Sequence, residues 1–272
     1  MALLEGKVAL VTGGARGIGR GIAIALAEAG VDIAIADVEH LSSTAQQYKT
    51  TNVGGMTAAQ KTVNDIVGLG RRAIALQADV TKKEDTQRMV EETVRQLGPL
   101  HILVCNAGVV SLSLVEELSE EAWDLTFAVN AKGVFLSCQA AIPVMKTQSG
   151  GCIINIASIS GKVGHPKQAH YCASKFAVVG FTNALAKELG PANIRVNAIC
   201  PGIIATQMWE YLAEGLKQEN ESKEQAWQRI QTDSPLGRPQ TPEDIGQLVV
   251  YLANAKNVTG QAINVDGGIA FP

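Results

Sequence analysis

A tyrosine and a lysine stand four positions apart in the stretch HYCASK, as Tyr171 and Lys175. Positions four apart share one face of a helix, so the phenol and the ammonium are expected to project together. A free tyrosine has a pKa of about 10, and a neighbouring positive charge lowers it toward neutral pH. The pair therefore predicts a general acid/base for an alcohol or carbonyl oxygen. The alternative is a solvated pair on an exposed helix.

Ser158 precedes Tyr171 by thirteen residues and stands at the end of the apolar stretch CIINIA. Ligands of an open parallel sheet bind at the carboxyl ends of its strands. A hydroxyl there can donate to a substrate oxygen, and no histidine stands in an obvious position to make it a nucleophile for acyl transfer. Its presence favours catalysis over the solvated pair.

A glycine-rich loop, VTGGARGIG, follows the first apolar run and opens a helical segment. Gly13, Gly17 and Gly19 let backbone approach a pyrophosphate, and the helix N-terminus supplies N–H donors to its charge. A structural turn would also explain such a loop. Asp37 ends the second apolar run, eighteen residues past Gly19. A carboxylate there can accept both ribose hydroxyls and repel a 2′-phosphate, which predicts NAD over NADP.

Arg16 is the contrary sign inside this loop, because a basic residue could pair with a 2′-phosphate. We weight Asp37 more heavily, since Arg16 can also point to solvent.

Seven apolar runs recur along the chain, with helical segments between them. They are residues 7–12, 31–36, 72–77, 100–105, CIINIA from 152, 194–199 and 262–266. Their β-branched content and lack of polar alternation indicate strands buried on both faces. The pattern predicts an α/β fold with a doubly wound seven-stranded parallel sheet and helices on both faces. Without a repeat or a Pro/Ser-rich linker, residues 1–272 are expected to form a single domain.

Composition excludes several other classes. Hydrophobic residues make up 46% of the chain but aromatic residues only 4%, so aliphatic side chains must build the core. A net charge of −3 offers no basic surface for nucleic acid. No apolar run approaches a membrane span, and MALLEGK lacks the features of a signal peptide, so we expect a cytoplasmic protein. The five scattered cysteines have no CxxC spacing and indicate buried thiols rather than disulfides or a metal site.

Several motifs occur in a fixed order. They are TGGARGIG at 12–19, Asp79 in ADV, NAG at 106–108, Asn130 in NAKG, Ser158, YCASK at 171–175 and PGIIAT at 201–206. With these motifs the chain resembles the short-chain dehydrogenase/reductase family over essentially its whole length. The resemblance implies a Rossmann domain and an NAD-dependent oxidoreductase, in which hydride passes between nicotinamide and a secondary alcohol or ketone.

The resemblance also implies a catalytic tetrad of Asn130, Ser158, Tyr171 and Lys175. Tyr171 would exchange the proton, Ser158 would orient the oxygen, Lys175 would tune the tyrosine and bind ribose, and Asn130 would hold a water. A purely structural amide is the alternative for Asn130.

The cofactor site implied by the resemblance extends the glycine loop. It comprises Gly13, Arg16, Gly17, Ile18, Gly19, Asp37, Asp79, Val80, Asn106, Ala107, Gly108, Tyr171, Lys175, Pro201, Gly202, Ile204 and Thr206. Asp79 could equally be a turn former.

Two segments depart from the strand–helix rhythm. Residues 39–56 are polar and lengthen the connection from Asp37 to Asp79, and we favour a mobile surface insertion over a flap on the cofactor. Residues 204–238, here called the lid segment, are expected to cover the substrate. Its members Met208, Trp209 and Tyr211 could roof a pocket floored by Val109, Val110 and Ile159, although helix packing explains them equally. Either His165 or His170 could face the pocket, but a surface or capping role is favoured for both.

The substrate is predicted only by class. Because these segments carry no cluster of basic residues, we favour a neutral polyol, diol or hydroxyketone, with reduction of a 3-oxoacyl thioester as the alternative. A non-catalytic dinucleotide sensor is the rival from another class, and an epimerase or dehydratase would show a different glycine spacing. The family resemblance of residues 242–254 and AINVDGGIA implies a homotetramer.

Overall fold

The computed structural model describes residues 3–39, 55–148 and 150–271. Each predicted strand lies within two residues of its expected bounds. The strands are β1 Val8–Thr12, β2 Asp32–Asp37, β3 Ala73–Gln77, β4 Ile102–Cys105, β5 Gly151–Ile156, β6 Ile194–Pro201 and β7 Ala262–Val265. All neighbours pair in parallel in the order β3-β2-β1-β4-β5-β6-β7, which confirms the doubly wound sheet.

Helices cover both faces of this sheet. In the described ranges they are α1 Gly17–Glu28, α2 Gly55–Gly68, α3 Lys83–Leu97, α4 Glu120–Phe127, α5 Gly133–Thr147, α6 Ala169–Leu189, α7 Gln207–Gly215, α8 Lys223–Thr232 and α9 Pro242–Asn254. Apolar residues of α3, α5 and α6 form the core on one face, and those of α1, α2 and α9 form the core on the other.

Strand β1 shows why the sequence lacks polar alternation. Val8 and Leu10 enter one core, whereas Ala9 and Val11 enter the other. Because successive side chains of a strand point to opposite faces, a strand covered on both sides must be apolar throughout.

Helices α1 and α9 pack closely through glycines. A Cβ at Gly246 would lie 2.6 Å from the Cβ of Ala25 and 2.9 Å from the carbonyl oxygen of Gly21. Helix α1 carries the end of the glycine loop, so this contact fixes the loop against the C-terminal part of the chain.

Replacing Gly246 with alanine is expected to lower the free energy of unfolding by about 1–3 kcal/mol, because the added methyl overpacks this contact. Chemical denaturation measures the change. Gly68→Ala in α2 is the matched control, since a Cβ there meets nothing within 4 Å and alanine is the better helix former. Equal stabilities of the two variants would contradict the close packing.

Helices α4 and α5 are joined by a π-helical turn, Ala128–Lys132, into one apolar rod. The rod Glu120–Thr147 reaches a mean hydropathy of 1.3 and is long enough to span a bilayer. Half of its apolar window is buried within the protein, and Val134, Cys138 and Met145 lie in the core under the sheet. A core helix of a globular domain can have the same length and hydropathy as a membrane-spanning helix, so these two properties are weak evidence for a membrane span.

The predicted loop insertion at 39–56 falls mainly on residues 40–54, which lie outside the described residues. Its two ends meet. A Cβ at Gly55 would lie 2.5–2.8 Å from the backbone of Val38 and Glu39, and the Met56 N–H donates to the Glu39 carboxylate at 3.3 Å. The chain therefore leaves β2 and enters α2 at nearly the same point.

Candidate active site

A cavity of about 930 Å³ opens at the carboxyl ends of the strands, where the strand order reverses between β1 and β4. Nearly all the site residues predicted from sequence line it together. They are Gly13, Arg16, Gly17, Ile18, Gly19, Asp37, Asp79, Val80, Asn106, Ala107, Gly108, Ser158, Tyr171, Lys175, Pro201, Gly202, Ile204 and Thr206. Asn130 is the exception and lies behind the cavity wall.

The glycine loop is closed by its own packing. A Cβ at Gly19 would overlap the carbonyl oxygen of Gly13, and the Asn106 side-chain amide donates to the carbonyls of Thr12 and Gly13, both at 3.0 Å. Gly19 is therefore required by the turn itself as well as by any close approach of a ligand.

The start of α1 fits a pyrophosphate. Its N-cap residue, Arg16, supplies no side-chain acceptor to the first N–H groups of α1. Gly17, Ile18 and Gly19, which carry these donors, line the cavity. Backbone donors at a helix N-terminus are suited to an anionic group, and the residues present thus fit a dinucleotide.

Asp37 is occupied by the loop. One carboxylate oxygen accepts from the Ala15 N–H at 3.0 Å and the other from the Val38 N–H at 2.9 Å. Burial raises the pKa of this carboxyl, while the two backbone bonds and the charge of Arg16 oppose the rise. The carboxylate therefore has a structural role that requires no ribose.

Tyr171 and Lys175 share one face of α6, as predicted, and both are buried, with exposures of 8% and 4%. The Lys175 Nζ lies 5.7 Å from the centre of the Tyr171 ring and donates to the Ile156 carbonyl at 2.9 Å. Burial raises the pKa of Tyr171 to about 12, against the hydrogen bond with Ser158. Burial lowers the pKa of Lys175 to about 8. The pair is therefore not a solvated one. The expected lowering of the Tyr171 pKa by the protein's own charged groups is wrong, because burial raises this pKa instead.

The buried ammonium predicts a pH dependence of stability. Because the pKa of Lys175 falls from 10.5 to about 8 on folding, the unfolded chain binds more protons between these values and stability rises with pH. From pH 8 to 9.5 we expect the wild type to gain about 1–2 kcal/mol of unfolding free energy relative to Lys175→Met. Denaturation curves at several pH values measure this gain.

Lys187→Met, at an exposed position of the same helix, is the control for the loss of a charge. All three proteins share the remaining ionisable groups, so only the differences between their pH dependences are compared. The same pH dependence in both variants would contradict the burial cost of Lys175.

Asn130 lies in the π-helical turn and is fully buried. Its Oδ1 accepts from the Val109 N–H at 2.8 Å, and its Nδ2 donates to the Val109 carbonyl at 2.9 Å and to the Ser174 hydroxyl at 3.1 Å. Both amide hydrogens are used, so a water held here would have to donate to an oxygen of Asn130. These hydrogen bonds are the ones expected if Asn130 is a purely structural amide.

Asp79 also has a turn-forming role, because its Oδ1 accepts from the Thr81 N–H at 3.0 Å and from the Thr81 hydroxyl at 2.8 Å. Beside it, Val80 packs with Val109 and Val129 at the cavity wall.

The lid segment contains helices α7 and α8. Met208 and Trp209 line the cavity, whereas Tyr211 does not and accepts instead from the Leu112 N–H at 3.3 Å. On the predicted floor, Val109 and Ile159 line the cavity and Val110 packs behind.

The expectation for His170 is wrong. It is fully buried and neither caps a helix nor lies at the surface, and its Nε2 lies 2.7 Å from the Ser111 hydroxyl. His165 is partly exposed and lines the cavity. The sequence did not single out further lining residues, because tertiary packing decides which side chains of the lid segment and of the neighbouring loops reach the cavity. They are Lys167, Gln168, Ile203, Leu212, Leu216, Arg229, Ile230, Asp233 and Ile269. Within the described ranges, no three His, Cys, Asp or Glu side chains form a potential metal site.

A family model described as enoyl-(acyl carrier protein) reductase matches residues 13–270. The chain belongs to the short-chain dehydrogenase/reductase family. A solved structure of a short-chain type dehydrogenase/reductase from Mycobacterium marinum superposes with a TM-score of 0.83 at 37% identity, covering 99% of this chain and 97% of that one. The Rossmann fold and an oxidoreductase acting on CH–OH groups follow from this membership.

Two similar relatives are named 3-oxoacyl-[acyl-carrier-protein] reductase FabG. The protein from Staphylococcus aureus is 38% identical over 265 residues, covering 97% of this chain and 98% of the relative. The one from Thermotoga maritima is 37% identical over 272 residues, covering 98% and 99%. Within the short-chain dehydrogenase/reductase family, these names favour the thioester alternative over the polyol interpretation.

The expected preference for NAD over NADP is wrong. The relatives are 3-oxoacyl reductases, a class that consumes NADPH. The physical reason lies in Asp37, whose two oxygens hold the loop backbone, so its position did not establish a ribose contact. Arg16 lies beside it on the cavity wall, so a positive charge stands next to the carboxylate on which the NAD prediction depended.

Proposed function

We propose that this short-chain dehydrogenase/reductase reduces the 3-oxo group of acyl thioesters with NADPH. The observation that carries the proposal is the apolar surface around the reacting phenol. Tyr171 forms a cluster with Val110 and Leu212. Leu212 lines the cavity beside Tyr171, as do Met208, Trp209 and Leu216, which pack against this cluster. Val110, Leu112 and Tyr211 support this apolar wall from behind.

Such a surface suits an acyl chain, because apolar area is stabilised by leaving water. A polyol would instead need hydrogen-bond partners for each hydroxyl, since unpaired buried polar groups cost free energy.

The state of Tyr171 supports the reductive direction. With a pKa of about 12, its phenol holds its proton at neutral pH and can donate it to the carbonyl oxygen as negative charge develops there. Ser158 stabilises the same oxygen by a hydrogen bond. The Lys175 ammonium, anchored on the Ile156 carbonyl, stabilises the phenolate that remains after the proton is donated. When bound, NADPH supplies the hydride, and Arg16 with the start of α1 would hold its phosphates.

The proposal is tested by following NADPH oxidation with 3-oxoacyl thioesters of coenzyme A and of acyl carrier protein, against small hydroxyketones, with NADH in parallel. We expect kcat/KM to be at least about 100-fold higher for the thioesters, because only they bury an apolar chain in the site. Faster turnover of hydroxyketones would restore the polyol interpretation.

Trp209 is proposed to limit the length of the acyl chain. It lines the cavity and joins the Tyr171 cluster to the lid cluster around Ile203 and Ile230. Trp209→Ala is expected to shift the kcat/KM ratio toward longer 3-oxoacyl chains by about tenfold, by opening the wall. Trp227→Ala is the matched control, since Trp227 contacts Trp209 with ring centres 6.2 Å apart but does not line the cavity. The same shift in both variants would contradict the assignment.

We also propose that copies of the chain associate through the surface of α4, α5 and α6. Trp123, Phe135 and Phe176 lie on these helices with exposures of 41–47%, and aromatic side chains are enriched at interfaces. Sedimentation as a monomer at micromolar concentration would contradict association. The tetrameric state and the cytoplasmic location stay predictions.

A further inference from the structure

The first turn of α6 carries Tyr171 but lacks a side-chain cap. Its N-cap residue, Gln168, makes no side-chain hydrogen bond to the helix, and no acidic residue stands in the turn. Helix α9, by contrast, begins with a capping box of Thr241 and Asp244. Because the first N–H groups of a helix need partners and uncapped ends fray, the placement of Tyr171 depends on contacts from elsewhere in the fold.

One such contact is made by the residue just before Tyr171. His170 is fully buried, and its Nε2 lies 2.7 Å from the Oγ of Ser111, a residue 59 positions away in the segment after β4. Beside this bond, the Ser113 N–H donates to the Lys167 carbonyl at 2.9 Å. Two bonds thus join the start of α6 to the segment after β4.

The same segment touches the reacting tyrosine. Val109 is held by Asn130 through both of its backbone groups, and Val110 packs against Tyr171. Ser111 is held by His170. The segment is therefore fixed on both sides of its contact with the tyrosine.

We propose that His170 and Ser111 form a positioning pair that sets the rotation of the first turn of α6 and so the direction of the Tyr171 hydroxyl. The pair acts through Tyr171 and does not touch substrate. This inference rests on the proposed function for its kinetic consequences, but the pair itself is a property of the fold.

The ring state fits this role. Burial lowers the pKa of His170, so the imidazole is neutral at neutral pH. In the part of the chain that the structure describes, its Nδ1 has no hydrogen-bond partner. An orphaned buried N–H is rarer than an orphaned acceptor, so we assign the proton to Nε2, which donates to Ser111. Glutamine, with an amide donor at a similar reach, should preserve this bond.

The kinetic test is a double-mutant cycle on the reduction of a 3-oxoacyl thioester. His170→Phe keeps the ring volume and Ser111→Ala removes only the hydroxyl. Each is expected to lower kcat by about 10- to 100-fold with little change in KM, because small misplacements of a reacting group have effects of this size. The double variant should be no worse than either single one, and His170→Gln should recover most of the loss.

Thr182→Val is the matched control. It removes a buried hydrogen bond of 2.9 Å between Asn155 and the same helix, α6, eleven residues after Tyr171. It should lower stability without lowering kcat per folded molecule.

Amide hydrogen exchange gives a readout that does not depend on turnover. His170→Phe and Ser111→Ala should speed exchange at residues 169–175, and Thr182→Val should not. Unchanged exchange there, additive kinetic losses, or failure of His170→Gln to recover kcat would overturn the pair. If the wild type reduces no 3-oxoacyl thioester while exchange follows the expected pattern, the proposed function fails and the pair stands.

Discussion

Tyr171→Phe is expected to lower kcat for thioester reduction by about 10²- to 10⁴-fold, the usual contribution of a positioned general acid. The phenol is 8% exposed and packs between Val110 and Leu212. Phenylalanine keeps this packing and removes only the proton donor, so the fold and the cavity should persist. Steady-state kinetics measure kcat, and NADPH binding by calorimetry should be nearly unchanged.

Tyr251→Phe removes the same hydroxyl from an exposed position on α9 and should leave kcat at the wild-type value. Retention of more than about a tenth of the wild-type kcat by Tyr171→Phe would show that another group delivers the proton. The Lys175 ammonium would then be the next candidate donor, because it lies against the same ring.

Asn130→Ala is expected to have the largest effect on stability, about 2–5 kcal/mol. The substitution leaves the N–H and the carbonyl of Val109 without their partners in a fully buried site, and each unsatisfied group costs about 1–3 kcal/mol. Since Val109 begins the segment that packs on Tyr171, kcat should fall as well. Chemical denaturation and kinetics corrected for the folded fraction measure the two effects.

Asn197→Ala separates the structural loss from the catalytic one. Asn197 is also fully buried, away from the cavity wall, and its amide also bonds two backbone groups. It donates to the Val258 carbonyl and accepts from the Gln261 N–H. Its loss should cost a similar free energy of unfolding while kcat per folded molecule is retained. If Asn130→Ala behaved in the same way, its amide would be structural only.

The strands could be predicted from sequence because a strand that is buried on both faces must be a continuous apolar run. No residue from Val8 to Val11 is polar, and few other secondary structures require such a continuous apolar run. The packing of α1 against α9 was harder to predict. The contact of Gly246 with Gly21 joins residues far apart in the sequence, and neither glycine forms part of a local pattern.

The tyrosine and lysine were predictable because helix geometry is local and four residues suffice to place them on one face. The environment was not. Burial, which decides the pKa of Tyr171 and of Lys175, depends on the whole fold. Asp37 shows the same limit. The sequence placed its carboxylate at the strand end but did not indicate that both of its oxygens accept hydrogen bonds from the Ala15 and Val38 N–H groups.

The meeting of Glu39 and Gly55 has a consequence for the engineering of this chain. Because the two ends of this connection nearly touch, they impose no particular length on the segment between them. Each doubling of the length of a flexible loop raises the entropic cost of closing it by only about 0.6 kcal/mol. Residues 40–54 could therefore be exchanged for a tight turn, an epitope or a reporter domain without stretching the sheet. The extra length of this connection is, for the same reason, an addition that evolution could make without redesigning β2 or α2.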